Sequence, residues 1–404
     1  HPRAPLMATA TGTRAPRLST VRREGERVTP LELFFDLVFV LAITQCTALM
    51  SQHPTWSGLA QGVLVLAVLW WSWTGYTWLT SVVDPEEGAV RIAMFAAMAA
   101  FLVVSIAVPK AFGDLALEFA IAYGAVRAAH IALFVLASRD DPGLRHSVGA
   151  LAVSTAIGVG LLVGASFLDG LAQGGLWVLA LALDMGGPFF FGAEGWKLVP
   201  GHYAERHGLI IIIALGESIV AIGVGAHSHL DWGIAAAAVL GIAVSAALWW
   251  MYFDIVAIVS RRRLIDAPEG RVRNELARDS YSYIHFPMVA GIILMAFGLK
   301  TTLSHVSDTL HTVPAFALLG GISIYLLGLV AFRYRHVHTI NRQRLLMAVL
   351  LLALLPLATS IPAIATLSIV VVLLASMIAY ETRSYGEGRF RARHPDLTPE
   401  SHAG

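Results

Sequence analysis

Leu31-Glu32-Leu33-Phe34-Phe35-Asp36-Leu37-Val38-Phe39-Val40-Leu41-Ala42-Ile43-Thr44 opens an apolar run that lasts to Met50 and carries two acids one helical turn apart. As an α-helix rising ~1.5 Å per residue, a run of that length crosses the ~30 Å hydrocarbon core of a bilayer. Glu32 and Asp36 stand at i and i+4, so they share one face of that helix. A carboxylate at bilayer depth costs at least ~2.5 kcal/mol on insertion scales, so each must find a partner, a wet cavity or a proton. The stretch therefore predicts a membrane helix with one chemically committed face.

The rest of the chain agrees. Of 404 residues, 57% are hydrophobic and only 14% charged, with a mean hydropathy of +0.70. A soluble globule carries roughly a quarter charged residues, so the reading is an all-α polytopic membrane protein of about twelve transmembrane helices. The sixth span is expected near Gly174 to Gly192, with Gly186-Gly187-Pro188 able to break it. The eleventh, near Gln343 to Ala358, is the shortest and ends at Pro356. Residues 1–28 have no apolar period and read as a disordered cytoplasmic tail; 383–404 read as a second cytoplasmic tail. The 28 Lys and Arg against 27 Asp and Glu leave no positive field for nucleic acid. A single cysteine, Cys46, excludes an internal disulfide or a cysteine metal cluster.

Cationic side chains give the orientation, because cytoplasmic loops hold the Lys and Arg excess. With the N-terminus inside, every Lys and Arg sorts to the cytoplasmic side except Lys110 and Lys300 outside and Arg127 within a span. Both termini are thus expected in the cytoplasm. Weak echoes recur in order along the chain: Asp36 against Glu217, Leu69-Trp70-Trp71 against Leu248-Trp249-Trp250, and Met98 with Lys110 against Met288 with Lys300. They suggest two parallel six-helix repeats, 29–200 and 201–382, although chance recurrence in apolar sequence remains the alternative. Such halves commonly enclose a site between them.

The intramembrane polar residues are the candidates for that site. Asp36, Glu217, Asp184, Glu32 and Asp254 supply acids; Arg127, His130 and His285 supply bases. Tyr123, Arg127 and His130 share a helix face, and Arg127 must pair with an acid, with Asp36, Asp184 and Glu217 as candidates. Once one pair forms, acids remain in excess and should meet a cation or a proton. Structural pairs that merely lock helices are the plainer alternative. Gly160 and Gly164 have the small-xxx-small spacing of close helix packing. No phosphate loop, zinc-protease helix or nucleophile elbow occurs, so nothing demands an enzyme, a cofactor or a metal.

Three stretches carry a family resemblance: Thr29 to Val40, Glu205-Arg206-His207-Gly208-Leu209 running into Ala214-Leu215-Gly216-Glu217-Ser218-Ile219, and Arg278 to His285 followed by Pro287. Together they resemble the bacterial low temperature requirement protein A family. That resemblance implies a multi-pass protein of the bacterial inner membrane, named for growth in the cold, and brings no settled activity. A looser similarity is to two-repeat potassium channels, whose Phe-Ser-Asp signature is met by Phe34 and Asp36 but not by Phe35, nor by Gly216-Glu217-Ser218.

The leading expectation is a transporter whose halves enclose a proton- or cation-handling site of Asp36 and Glu217, with Asp184, Arg127 and His285 close by. A cation channel is one alternative. A membrane-embedded lipid-binding protein or enzyme, with Asp36 and Glu217 as acid and base, is another. The expected partners are membrane lipids and a proton, small cation or small-molecule substrate, and a homo-oligomer is left open.

Overall fold

The structure, a computed structural model, describes residues 27–86, 88–190, 196–226, 231–384 and 393. Most of both expected tails, and the end of the expected sixth span at Gly192, lie outside the described residues. Within them the chain is helical: α1 (Pro30–Gln52), α2 (Trp56–Val82), α3 (Gly88–Ala107), α4 (Ala116–Ala137), α5 (Pro142–Ala165) and α6 (Gly170–Phe190) come first. The chain continues through α7 (Pro200–Gly225), α8 (Trp232–Phe253), α9 (Val256–Asp266) and α10 (Arg271–Ala277). A π-helical stretch (Arg278–Ile284) leads into α11 (His285–Ser304), and α12 (Thr312–Val337), α13 (Arg342–Ala353), α14 (Leu355–Ala358) and α15 (Ala363–Ser384) complete it.

Local signals set the helix starts. Thr29 caps α1 by accepting from the Glu32 amide, while the Glu32 carboxylate accepts from the Thr29 amide. Two of the amides that a helix start orphans are satisfied in this reciprocal way. Asp141, Asp231 and Asn341 cap α5, α8 and α13 in the same sense. Pro200 opens α7, where its missing N–H removes nothing.

Among the described residues, ten helices are long and apolar enough to cross a membrane. Two of the twelve expected spans are not among them. In the eleventh, Pro356 has no amide to return to the preceding turn, and the segment splits into α13 and α14. Twelve residues of α13 reach only ~18 Å. The sixth, α6, is diluted by Gln173, Asp184 and three residues that were expected to break it, Gly186-Gly187-Pro188. It does not break: α6 runs on through Pro188 to Phe190. Arg278 Nη1 donates to the Pro188 carbonyl at 3.1 Å and the Tyr283 hydroxyl bonds the Met185 carbonyl, so outside donors support this turn.

In the first half α1 packs on α2 and α3, α3 on α4, α4 on α5, and α2 and α5 on α6. In the second, α7 packs on α8 and α11, α11 on α12, α12 on α13, and α8 and α13 on α15. The halves meet where α1 and α2 lie against α7 and α11. The most enclosed span is the one ending in α11, with 78% of its most apolar 18 residues buried. Glycine lets it approach α12: a Cβ on Gly291 would stand 2.5 Å from the Gly321 carbonyl oxygen, and one on Gly298 would stand 2.6 Å from the Leu318 amide nitrogen. The Gly160 and Gly164 spacing, by contrast, makes no such contact. Nothing lies within 4 Å of a Cβ on Gly160, because that side of α5 faces outward.

These approaches predict opposite responses to one methyl group. Gly321→Ala, which meets backbone, should destabilise the fold by about 1–3 kcal/mol, read as a lower midpoint of thermal unfolding in detergent. Gly160→Ala should leave the midpoint unchanged or raise it, since a helix interior prefers alanine by about 0.5–1 kcal/mol.

Candidate functional site

The site lies where the two halves meet, on the side of the bundle where α1 begins. Glu32 and Asp36 face the start of α7, which returns a matching i, i+4 pair, His202 and Arg206. His202 Nε2 lies 2.9 Å from Glu32 Oε1, and its Nδ1 lies 2.9 Å from the Ser81 hydroxyl at the end of α2. Arg206 Nη2 donates to Asp36 Oδ1 at 2.7 Å, and its Nη1 stands 3.4 Å from Glu32 Oε1. Trp73 Nε1 donates to the same Asp36 oxygen at 2.9 Å, and the guanidinium lies 5.5 Å from the Trp73 ring centroid. All four charged or titratable side chains are at most 1% exposed. Asp36 Oδ2 and Arg206 Nε have no hydrogen-bond partner among the described residues.

Behind this cluster stands a layer of rings. His207 is bordered by Tyr203, Trp73, Tyr281 and His285 at centroid distances of 4.5 to 5.2 Å. Its Nδ1 lies 2.9 Å from the Tyr203 carbonyl oxygen, which only accepts, so the proton sits on Nδ1 and Nε2 is a bare acceptor. His285 repeats the pattern, with Nδ1 on the Ser280 carbonyl at 3.1 Å and Nε2 accepting from the Tyr252 hydroxyl at 2.9 Å. The π-helical turn makes this geometry available. Its looser ladder exposes carbonyls, and the Ser282 carbonyl takes the Trp70 indole N–H at 2.8 Å while the Ser282 hydroxyl meets Tyr203 at 2.8 Å and Trp78 at 3.1 Å.

The other expected site residues are dispersed. Arg127 pairs with Asp184 at 2.9 Å, and Thr155 donates to the same oxygen, tying α4, α5 and α6 together. His130 lies one turn from Arg127, fully buried, in contact with Tyr76 and Phe134. Glu217 is about three turns, or ~16 Å, further along α7 than Arg206. It accepts from the Thr44 hydroxyl of α1 at 2.5 Å and, among the described residues, forms no ion pair. Between the two levels, Phe39 and Ile43 of α1 and Ile210, Ile211 and Ala214 of α7 are each 0% exposed. Asp254, just past α8, is ion-paired with Arg393. Asp36 and Glu217 thus occupy separate levels and do not meet as an acid and base on one bond.

Sequence reasoning placed Arg206 in a cytoplasmic loop and passed over His202, Tyr203 and Tyr281. The signal was available: Pro200 begins α7 early, which puts Arg206 more than a turn inside the helix at the spacing that matches Glu32 and Asp36. Among the described residues no group of three His, Cys, Asp or Glu could hold a metal ion.

Breaking this cluster one-sidedly should be costly. Arg206→Met leaves the buried Asp36 carboxylate without its cation and should destabilise the fold by about 3–5 kcal/mol. Adding Glu32→Gln and Asp36→Asn to that variant should restore most of the loss, measured by thermal unfolding in detergent.

The three sequence stretches that carry the family resemblance converge here: α1 brings Glu32 and Asp36, α7 brings Arg206 and His207, and the π-helical turn with the start of α11 brings Tyr281, Ser282 and His285. Residues 27–379 match the family described as bacterial low temperature requirement A protein (LtrA). Over 310 residues the chain is 32% identical to a Rhizobium meliloti (strain 1021) protein named uncharacterized protein RA0937, covering 74% of this chain and 75% of that one. No solved structure matches the chain.

Proposed function

The chain belongs to the bacterial low temperature requirement A family, and on that premise we propose that it is a membrane transport protein handling protons or small cations along the α1–α7 seam. The observation that carries this reading is the layering of that seam. Titratable groups sit at two levels, Glu32, Asp36, His202 and Arg206 at one and Glu217 at the other, and the apolar residues Phe39, Ile43, Ile210, Ile211 and Ala214 at the heights between are fully buried. An open channel needs a continuous wet path, and this layer interrupts one. Passage between the levels requires the halves to move relative to each other, as in transporters that expose a central site alternately to each side.

The packing supports two parallel six-helix repeats at 29–200 and 201–382. The neighbour relations α1–α2, α1–α3, α3–α4, α4–α5 and α2–α6 recur as α7–α8, α7–α11, α11–α12, α12–α13 and α8–α15. In that correspondence α1 and α7 are equivalent helices, each with its own buried acid, Asp36 and Glu217. The Lys and Arg distribution supports a cytoplasmic location for the side where α1 begins, in the bacterial inner membrane.

Purified protein in vesicles carrying a potassium diffusion potential, with a trapped pH-sensitive dye, tests the proposal. Wild-type protein should admit protons faster than protein-free vesicles, and Glu217→Gln should reduce the rate at least tenfold. Unaltered proton entry in Glu217→Gln would remove the carboxylate from the mechanism. Unitary currents across a planar bilayer would replace the transporter reading with a channel.

A further inference from the structure

On the outer surface of the second half, a groove of about 530 Å³ runs between α8 and α15. Alanines hollow it out: Ala243, Ala246 and Ala247 line it from α8, and Ala375 and Ala379 from α15. One end is polar, with Trp250 on α8 and Thr382 and Arg383 on α15. These helix ends lie level, because Arg344 donates both to the Met251 carbonyl at 3.1 Å and to Glu381 at 3.0 Å. From Thr382 to Val371, at the other end of the groove, α15 rises ~16 Å.

That length is about half of a ~30 Å hydrocarbon core, which is the depth of one leaflet. The polar end then falls at the level of the headgroups, where tryptophan concentrates in membrane proteins. Arg383 is exposed there and, among the described residues, forms no ion pair. Glu381 does not neutralise it, since Arg344 holds both of its oxygens and Asn341 bonds one of them as well. An apolar trough of leaflet depth thus ends at a cation that is left to attract an anion. A second copy of the chain fits this surface poorly. A twofold axis through the groove would set hollow against hollow and Arg383 against its own copy.

We propose that the groove is a binding site for an anionic phospholipid, its phosphate at Arg383 and one acyl chain laid along the alanine walls between α8 and α15. The site uses neither Glu217 nor the α1–α7 seam, so it stands or falls separately from the transport reading.

Native mass spectrometry of the full chain, released from neutral detergent and titrated with dioleoylphosphatidylglycerol or dioleoylphosphatidylcholine, decides it. The first phosphatidylglycerol should bind about fivefold more tightly than the first phosphatidylcholine, equivalent to ~1 kcal/mol, the contribution of one arginine near an anionic membrane surface. Arg383→Gln should remove that preference, whereas Arg139→Gln, which takes a cation from the first half, should leave it in place. Ala375→Leu, which fills the trough, should abolish the first binding step for both lipids. All three substituted positions are exposed, so the fold does not depend on them. Equal binding of the two lipids by the wild-type protein, or a preference that survives Arg383→Gln, would overturn the proposal. A wild-type dimer that Ala375→Leu dissociates would overturn it as well and assign the groove to a second copy.

Discussion

A charge removed from water must be answered by another charge close at hand, and this bundle is organised around that requirement. The ion pair between Asp36 and Arg206, with Glu32 and His202 beside it, fixes α1 against α7 at one height and one rotation. Arg127 with Asp184 does the same for α4 and α6, and Arg344 with Glu381 for α13 and α15, the latter through a two-pronged contact at 3.0 Å on each prong. Apolar side chains give a helix no reason to prefer a protein neighbour over lipid. These pairs supply the missing specificity.

The same requirement explains why the overall class was legible in the sequence and the site only in part. Apolar length shows a span directly, and a lone Arg127 in apolar surroundings announces a buried partner. Which partner it takes depends on how α4 faces α6, and a one-dimensional pattern does not contain that. Arg206 was hidden for a different reason. Glu205-Arg206-His207 follows a loop containing Lys197, so its charge density resembles a solvated turn. Its depth is set by Pro200 starting the helix earlier than the hydropathy does. The π-helical turn at Arg278–Ile284 had no composition signal at all, because it is a feature of the hydrogen-bond ladder.

Small residues show the complementary limit. Gly160 and Gly164 had the spacing expected of a helix contact, yet Gly160 faces outward and a Cβ on Gly164 would meet only the Leu176 side chain at 3.9 Å, whereas Gly291, Gly298 and Gly321 are the ones that bring two helices into backbone contact. Spacing says where a close approach is permitted. Only the neighbour says whether it is used.

Those glycines have a mechanical consequence. α11 and α12 touch backbone to backbone, and α7 joins them at Gly225, where a Cβ would lie 2.6 Å from the Lys300 carbonyl oxygen. Surfaces meshed that closely cannot slide without first separating, so these three helices form a stator. α1 touches α7 through side chains, an ion pair at one end and a hydroxyl donating to a carboxylate at the other. On the proposed transport reading, that boundary is where one half would shear against the other.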